Sequence, residues 1–450
     1  MKRFFCILVL GAIVFASCQR EEVFVDRPSD VKSDVLVVDT KTRSYDEALA
    51  IAEDALKLLE GDETRSTNKR VIKRSEGQTV MRPVTRGSET EEEPIMYVFN
   101  NEDNQGFTVV AADRSKDPLI AVTELGNYTY GEPTEVEAFD AYMDGVVERL
   151  AIAVPGGPLL PTPGALVDTI RYERTEVGPL LTTKWGQQGV YAIEAGVPVA
   201  GCGPIAIAQL VAYHRYPNTL QLTYKPTPIS IMLNWDDILT HTSGQGVQTG
   251  MFVWEYACDC GCDYLKMAQL IREIGERGNV SYIMDKNGID IYMNSDDIQQ
   301  ALRRMGYNVY KFTPIIDIQS YKYDMLEDIQ QERPVILMGQ DATRDQGHIW
   351  VADGYIYYDA EYDYYILNTD YNPPFSLLDP MYIYGWTDTY HLEVVHFNWG
   401  WDGRCDGWYN LDHFETDNAY MYDDINVDNN VDTDFKYSIQ LFYSIYPNSN

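Results

Sequence analysis

The stretch 179–217, PLLTTKWGQQGVYAIEAGVPVAGCGPIAIAQLVAYHRYP, constrains this chain more than any other. Cys202 stands between Gly201 and Gly203, and an apolar run from Ile205 to Ala212 follows, closing at Tyr216-Pro217. Proline is tolerated in a first helical turn, where its missing N–H would have no partner anyway, so Pro204 predicts a helix that begins at Cys202. Free N–H groups and the positive end of the helix dipole favour an anion there. Beside a protonated imidazole, a cysteine pKa falls from about 8.5 to roughly 3.5–7.5. A buried cysteine packing a helix start fits the same pattern, so other residues must decide between nucleophile and packing.

A thiolate nucleophile needs an imidazole to take and return a proton, a group to hold that imidazole, and donors for the oxyanion. Only six histidines are present. His348, in DQGHIWVADGY, opens a strand after a loop, which lets its ring reach a cleft at the sheet end. His214 ends the Cys202 helix and reads as a packing or dipole partner. His396 alternates with Val394 and Asn398 in VVHFNWGW, where a structural role is at least as natural as a catalytic one. His241, His391 and His413 lie in polar stretches with no special claim. Gln187, fifteen residues before Cys202, is placed to supply an oxyanion amide, and Asn398 with the Trp399 ring to orient and shield the imidazole.

The first 17 residues read as an export signal: Lys2 and Arg3, an apolar core too short for a stable membrane span, then Ala16-Ser17 before Cys18. Small residues directly before a cysteine resemble a bacterial lipobox, so Cys18 is the expected lipidation site of a surface or outer-membrane lipoprotein, with a plain signal peptide as the alternative. The protein is expected outside the cytoplasm, its only membrane contact the lipid anchor. A net charge of −34, without clusters of Lys and Arg, excludes nucleic acid as a partner. In an oxidising compartment Cys258, Cys260, Cys262 and Cys405 are free to pair, and the C-x-C-x-C spacing of CDCGC does not match a zinc site.

Along the chain, SYDEALAIAEDALKLLEG predicts a helix opened by a Ser44/Glu47 capping box, and 62–94 a mobile linker without apolar periodicity. Strands are expected over 95–99, 106–111 and 119–122, and a helix over 135–154, together forming a compact domain of its own. PGGPLLPTP at 155–163 punctuates the chain, and 156–178 reads as an exposed linker. Helices over 263–278 and after an N-cap at Ser295 precede short strands from 333 onward. Helices first and antiparallel strands after predict an α+β domain with its site between the halves.

Four ordered motifs, GQQGVY, AGCGPIAIAQLVAYHRYP, GHIWVADGY and HFNWGWDGRCDGWY, resemble the streptopain family of papain-like cysteine proteases over most of 179–450. YVFNNEDNQGFTVVAADRSKDPLIAVTELGNY looks like the inhibitory prodomain of such zymogens. The resemblance implies a papain-like α+β peptidase domain at 179–450, a small α+β prodomain at 18–155 acting as intramolecular inhibitor, and an activation linker at 156–178 with Arg171 and Arg174 as candidate cuts. It implies Cys202 as nucleophile, His348 as base and then acid, Gln187 in the oxyanion hole, and Asn398 or Trp399 as the histidine-orienting residue. Protein or peptide substrates, an apolar residue two positions before the cut bond, and no metal or organic cofactor follow in the same way. Asn398 comes fifty positions after His348, further than the family commonly needs, and the Tyr-rich insert at 357–386 is expected to form an extra hairpin and loop. Two rival readings are a transglutaminase-like or amidase Cys-His enzyme, and a surface binding module whose dyad is idle.

Overall fold

The computed structural model describes residues 42–60, 70–86, 89–114, 116–134, 136–150, 166–242, 261–285, 288–312, 318–340, 347–367, 382–410 and 437–448. The expected signal segment with Cys18, the residues Cys258 and Cys260, the side chain of Cys262 and the acidic stretch 411–436 lie outside it.

The chain opens with α1 (Tyr45–Glu60), whose start is the expected capping box. The Ser44 N–H donates to Glu47 Oε2 at 2.7 Å and the Glu47 N–H to Ser44 Oγ at 3.3 Å. Strands β1 (Gln78–Arg86), β2 (Glu89–Asn100), β3 (Phe107–Ala111) and β4 (Leu119–Thr123) follow, then α2 (Glu137–Leu150). The first two correct the expectation of a mobile linker over 62–94. Their register sets Arg82 opposite Glu93, so opposite charges across the pair, rather than apolar alternation, favour this arm.

Next come β5 (Leu166–Val177), α3 (Cys202–His214), the hairpin β6 (Thr219–Leu222) and β7 (Ile229–Met232), α4 (Trp235–Thr242) and α5 (Gly261–Arg277). The hairpin β8 (Ser281–Asp285) and β9 (Gly288–Tyr292) leads to α6 (Ser295–Arg304), β10 (Tyr307–Phe312) and α7 (Ile318–Gln330). The cap of α6 is one residue earlier than expected. Asn294 Oδ1 accepts from the Asp297 N–H at 2.9 Å, and Asp297 reciprocates, so Ser295 is already helical.

The sheet is completed by β11 (Val335–Gln340), β12 (Gly347–Leu367), β13 (Tyr382–Asn398), β14 (Gly407–Asn410) and β15 (Tyr437–Pro447). Its order is β1-β2-β3-β4-β14-β13-β12-β11-β15-β10, antiparallel at every pairing, with β5 added to the outer part of β12. The expected α+β architecture is therefore present, but the N-terminal strands are not a domain apart: β4 pairs with β14 and makes one continuous sheet. Gly407 permits that seam, because a Cβ there would collide with the Val122 carbonyl and lie 2.6 Å from the Thr123 Cα.

Both faces of the central strands are covered. Ile349 and Val351 of β12 pack with α3, α5 and α6, whereas Trp350 and Ala352 pack with α2, α7 and the N-terminal strands. Period-two alternation with apolar residues on both faces explains why IWVA reads as one hydrophobic run. The insert is an extension of β12 and β13, with 368–381 outside the described residues. Within the expected exposed linker at 156–178, residues 166–177 form strand β5. Its backbone pairs with Tyr355 to Tyr365, while Glu173, Arg174, Thr175 and Glu176 remain exposed. Cys405 is a buried free thiol.

Candidate active site

Helix α3 is apolar all round, with Gly203 to Ala212 buried, as befits a helix enclosed on every side. Its N-cap, Gly201, has φ 97°, and a Cβ there would lie 2.8 Å from Ile291 Cγ2, so glycine is needed to bring the chain into Cys202. Cys202 is the first helical residue, as Pro204 predicted, and is half-buried. Burial pushes its thiol pKa up, against backbone N–H groups of Ile349, Gly203 and Cys202 itself that favour the thiolate. Ile349 is the residue after His348, so the start of β12 lies directly on the start of α3. The low thiol pKa expected at a helix N-terminus is absent because burial outweighs these N–H groups.

His348 is buried, and its neutrality has a clear cause. Burial lowers its pKa to about 4, only partly offset by its hydrogen bond to the Trp399 carbonyl. That bond, Nε2 to O at 2.9 Å, requires the proton on Nε2, since a carbonyl only accepts, and leaves Nδ1 with the lone pair. The ring stacks on Trp350 at 6.2 Å and meets Trp399 at 6.0 Å between centroids.

The two candidates for orienting the histidine separate. The backbone carbonyl of Trp399 touches the ring. Asn398 instead spends its amide elsewhere: Nδ2 donates to the Thr183 carbonyl at 3.0 Å, and Oδ1 accepts from Gln209 Nε2 at 2.9 Å and from the Gly400 N–H at 3.1 Å. Gln209 Oε1 in turn accepts the Trp185 N–H at 3.0 Å. Asn398 thus ties the strand end to α3 and to the segment entering the site. Gln209 was not singled out from the sequence, although a lone amide in an otherwise apolar helix was a usable signal. Gln187 is buried, and its carbonyl accepts the Ala200 N–H at 2.7 Å, which places it beside the approach to Cys202.

A second set of charges, His396, Asp353 and Asp406 buried and Glu124 and Lys184 half-buried, lies at the seam of the sheet. His396 Nδ1 meets Asp353 Oδ1 at 2.6 Å, and its Nε2 faces Glu124 Oε1 at 3.5 Å. Burial alone would strip the proton from this imidazole, but the two carboxylates outweigh it and raise the pKa to about 10. Lys184 Nζ donates to Glu124 Oε2 at 2.6 Å. Burial opposes ionisation of Glu124, yet His396 and Lys184 hold its carboxyl far below the usual range. Asp406 is pushed up to about 7 by burial, against Lys184 and His396, and accepts the Trp399 N–H at 2.8 Å. Of this set the sequence singles out only His396, with a structural role at least as natural as a catalytic one.

The Peptidase C10 family model matches residues 185–409, and the Spi protease inhibitor model matches residues 38–144. Streptopain from Streptococcus pyogenes is 23% identical over 350 residues, covering 70% of this chain and 74% of that protein. The thiol protease/hemagglutinin PrtT from Porphyromonas gingivalis is 19% identical over 340 residues, covering 70% of this chain and 34% of that protein. A prointerpain A fragment from Prevotella intermedia superposes with a TM-score of 0.48 at 20% identity, over 83% of this chain and 100% of the fragment. The resemblance to streptopain read from four motifs, and to an inhibitory prodomain ahead of them, is borne out. The chain belongs to the Peptidase C10 family and is a cysteine peptidase made as a zymogen, with a Spi-type inhibitor segment preceding the peptidase.

Proposed function

We propose that Cys202 is the nucleophile and His348 its base and later acid, in an exported endopeptidase of papain-like layout held latent until its linker is cut. The observation that carries this is the meeting of the starts of α3 and β12: the Ile349 N–H on the Cys202 sulfur, with the neighbouring His348 anchored through Nε2 by the Trp399 carbonyl. Nδ1 would take the thiol proton as sulfur attacks the scissile carbonyl, then deliver it to the leaving amine, and water would release the acyl group. The Cys202 N–H and the Gln187 amide would hold the oxyanion. The Trp399 carbonyl is the histidine-orienting group in this reading, with Asn398 supporting the loop that presents it.

In the zymogen both members of the pair are neutral, a state in which a thiol is a poor nucleophile. We place the inhibitor at 18–155, the cut within 156–178, and the peptidase at 179–450. Arg174 is a candidate cut site, exposed on β5 with its guanidinium 2.7 Å from Glu176. Export as a lipoprotein acylated at Cys18, and preference for an apolar residue two positions before the cut bond, complete the proposal.

Peptide hydrolysis after linker cleavage tests the assignment. Cys202→Ala should lower the rate at least about 10³-fold; equal rates in the two chains would sink it. Incorporation of labelled fatty acid, lost in Cys18→Ser, tests the anchor.

A further inference from the structure

We propose that Lys184 and His396 form a carboxylate-reading site at the end of β14, and that Glu124 is the group of the inhibitor segment that fills it. On this view one side chain sets how tightly the segment holds the peptidase. The inference rests on the zymogen reading above and deepens it.

The backbone seam is short. Only Ala121, Val122 and Thr123 of β4 pair with Tyr409, Trp408 and Gly407 of β14, extended by the Glu124 N–H donating to the Asp406 carbonyl at 2.9 Å. Three residues of ladder align a strand but discriminate little among extended segments, because main-chain bonds are common to all of them. Apolar contacts such as Phe139 and Tyr142 on Tyr409 hold the segment without reading charge, so charge discrimination falls to the side chain at the end of the strand. Each oxygen of Glu124 meets a different cation of the peptidase part, Oε2 with Lys184 and Oε1 with His396.

The receiving side is built independently of the segment. His396 is 4% exposed, and its other nitrogen is fixed by Asp353, which is fully buried. Asp353 is itself positioned by the Leu181 N–H on Oδ2 at 2.8 Å. Asp353 can compensate one cation, while Lys184 and His396 make two. The carboxylate from the segment closes the balance, with Asp406 lying nearby as a further acid. Should the segment leave, the edge of β14 and a cation pair would be uncovered together, a surface that fits an extended strand carrying a carboxylate at its end. Glu47, by contrast, pairs with Arg114 inside the segment, at 2.7 Å.

The test uses the full, uncut chain and the rate at which an irreversible peptide-like thiol inhibitor labels Cys202. Glu124→Gln should label about ten-fold faster or more, because it leaves the buried His396 and the half-buried Lys184 without their carboxylate. Glu124→Asp, which keeps the charge, should lie between Glu124→Gln and wild type, and Glu47→Gln should match wild type. Lys184→Met should also accelerate labelling, and combining it with Glu124→Gln should add less than the product of the two effects, as for residues in one interaction. In a Cys202→Ala chain the His396 imidazole, followed by nitrogen NMR, should titrate at lower pH once Glu124→Gln is present. Labelling of Glu124→Gln at the wild-type rate overturns the proposal, as do multiplying effects or an unmoved His396 titration. Where Glu124→Gln fails to fold, an unchanged rate in Lys184→Met overturns it. A linker-cut wild type that hydrolyses peptides while these variants stay unchanged removes only this inference, whereas an inactive cut chain removes the reading beneath it.

Discussion

Two buried imidazoles on neighbouring strands behave in opposite ways. His348, at the start of β12, sits among Trp350 and Trp399 with a backbone carbonyl on Nε2, and burial takes its pKa down to about 4. His396, near the end of β13, sits between Asp353 and Glu124, and its pKa rises to about 10. Both are nearly excluded from water. The difference teaches that burial by itself neutralises an imidazole, and that carboxylates within about 4–6 Å reverse the outcome. A neutral ring bound to a backbone carbonyl carries no fixed charge near neutrality. A ring locked as a cation between two acids is a structural charge, with no proton to exchange near neutrality.

The largest expected effect would break the comparison outright if it failed. In the linker-cut enzyme, His348→Ala should reduce peptide hydrolysis to the level of Cys202→Ala, whereas His396→Asn should retain most of the activity in whatever fraction folds. Active-site titration with a thiol inhibitor corrects for that fraction. Loss of hydrolysis per active site in both variants would mean that the two rings are not functionally distinct. For stability the ranking reverses. His396→Leu in the uncut chain should lower unfolding free energy by about 3–5 kcal/mol, since it leaves Asp353 buried without its cation. His348→Leu removes a neutral hydrogen bond and should lower it by about 1–2 kcal/mol. Urea denaturation of the two variants measures both.

The pH dependence sharpens the same contrast. His396 binds its proton more tightly folded than unfolded, so its contribution is fully present below pH about 6.5 and is lost as pH rises towards about 10. His348 runs the other way. Its depressed pKa makes the folded state lose ground as pH falls from about 6.5 to about 4. Denaturation midpoints of the uncut chain should therefore decline on both sides, and His396→Asn should flatten the alkaline decline while sparing the acid one.

What the sequence disclosed follows the range of the interactions. The Ser44/Glu47 cap, the start of α3 at Pro204 and the apolar strands from Val335 onward rest on neighbours within a few positions, and all were legible. Strands β1 and β5 were not, because β1 is favoured by opposing charges on β2 and β5 by pairing with the distant β12. The seam had no local signature either: Asp353 and His396 stand 43 positions apart, and Glu124 and Lys184 60. For the candidate site, motif order picked out Cys202 and His348, but left open whether Asn398 or Trp399 faces the imidazole. That choice lies in a backbone carbonyl, which every residue type possesses, so no side-chain pattern could have revealed it.

The smallest expected effect concerns the thiol in the uncut chain. A thiolate paired with an imidazolium would react with a small alkylating agent at a rate nearly flat between pH 5 and pH 7, because the ion pair persists across that range. Here the His348 pKa is about 4 and burial raises that of the thiol, so the pair is uncharged throughout. Alkylation of Cys202 by iodoacetamide should therefore be slower than that of an unstructured cysteine at pH 7, and should rise about ten-fold per pH unit as the thiol itself ionises. Background from Cys405 and the remaining cysteines is measured in Cys202→Ala and subtracted. A flat, fast profile in the uncut chain would mean that the imidazole already carries the proton of Cys202, and that the contrast between the two histidines belongs to their partners' geometry rather than to their charge.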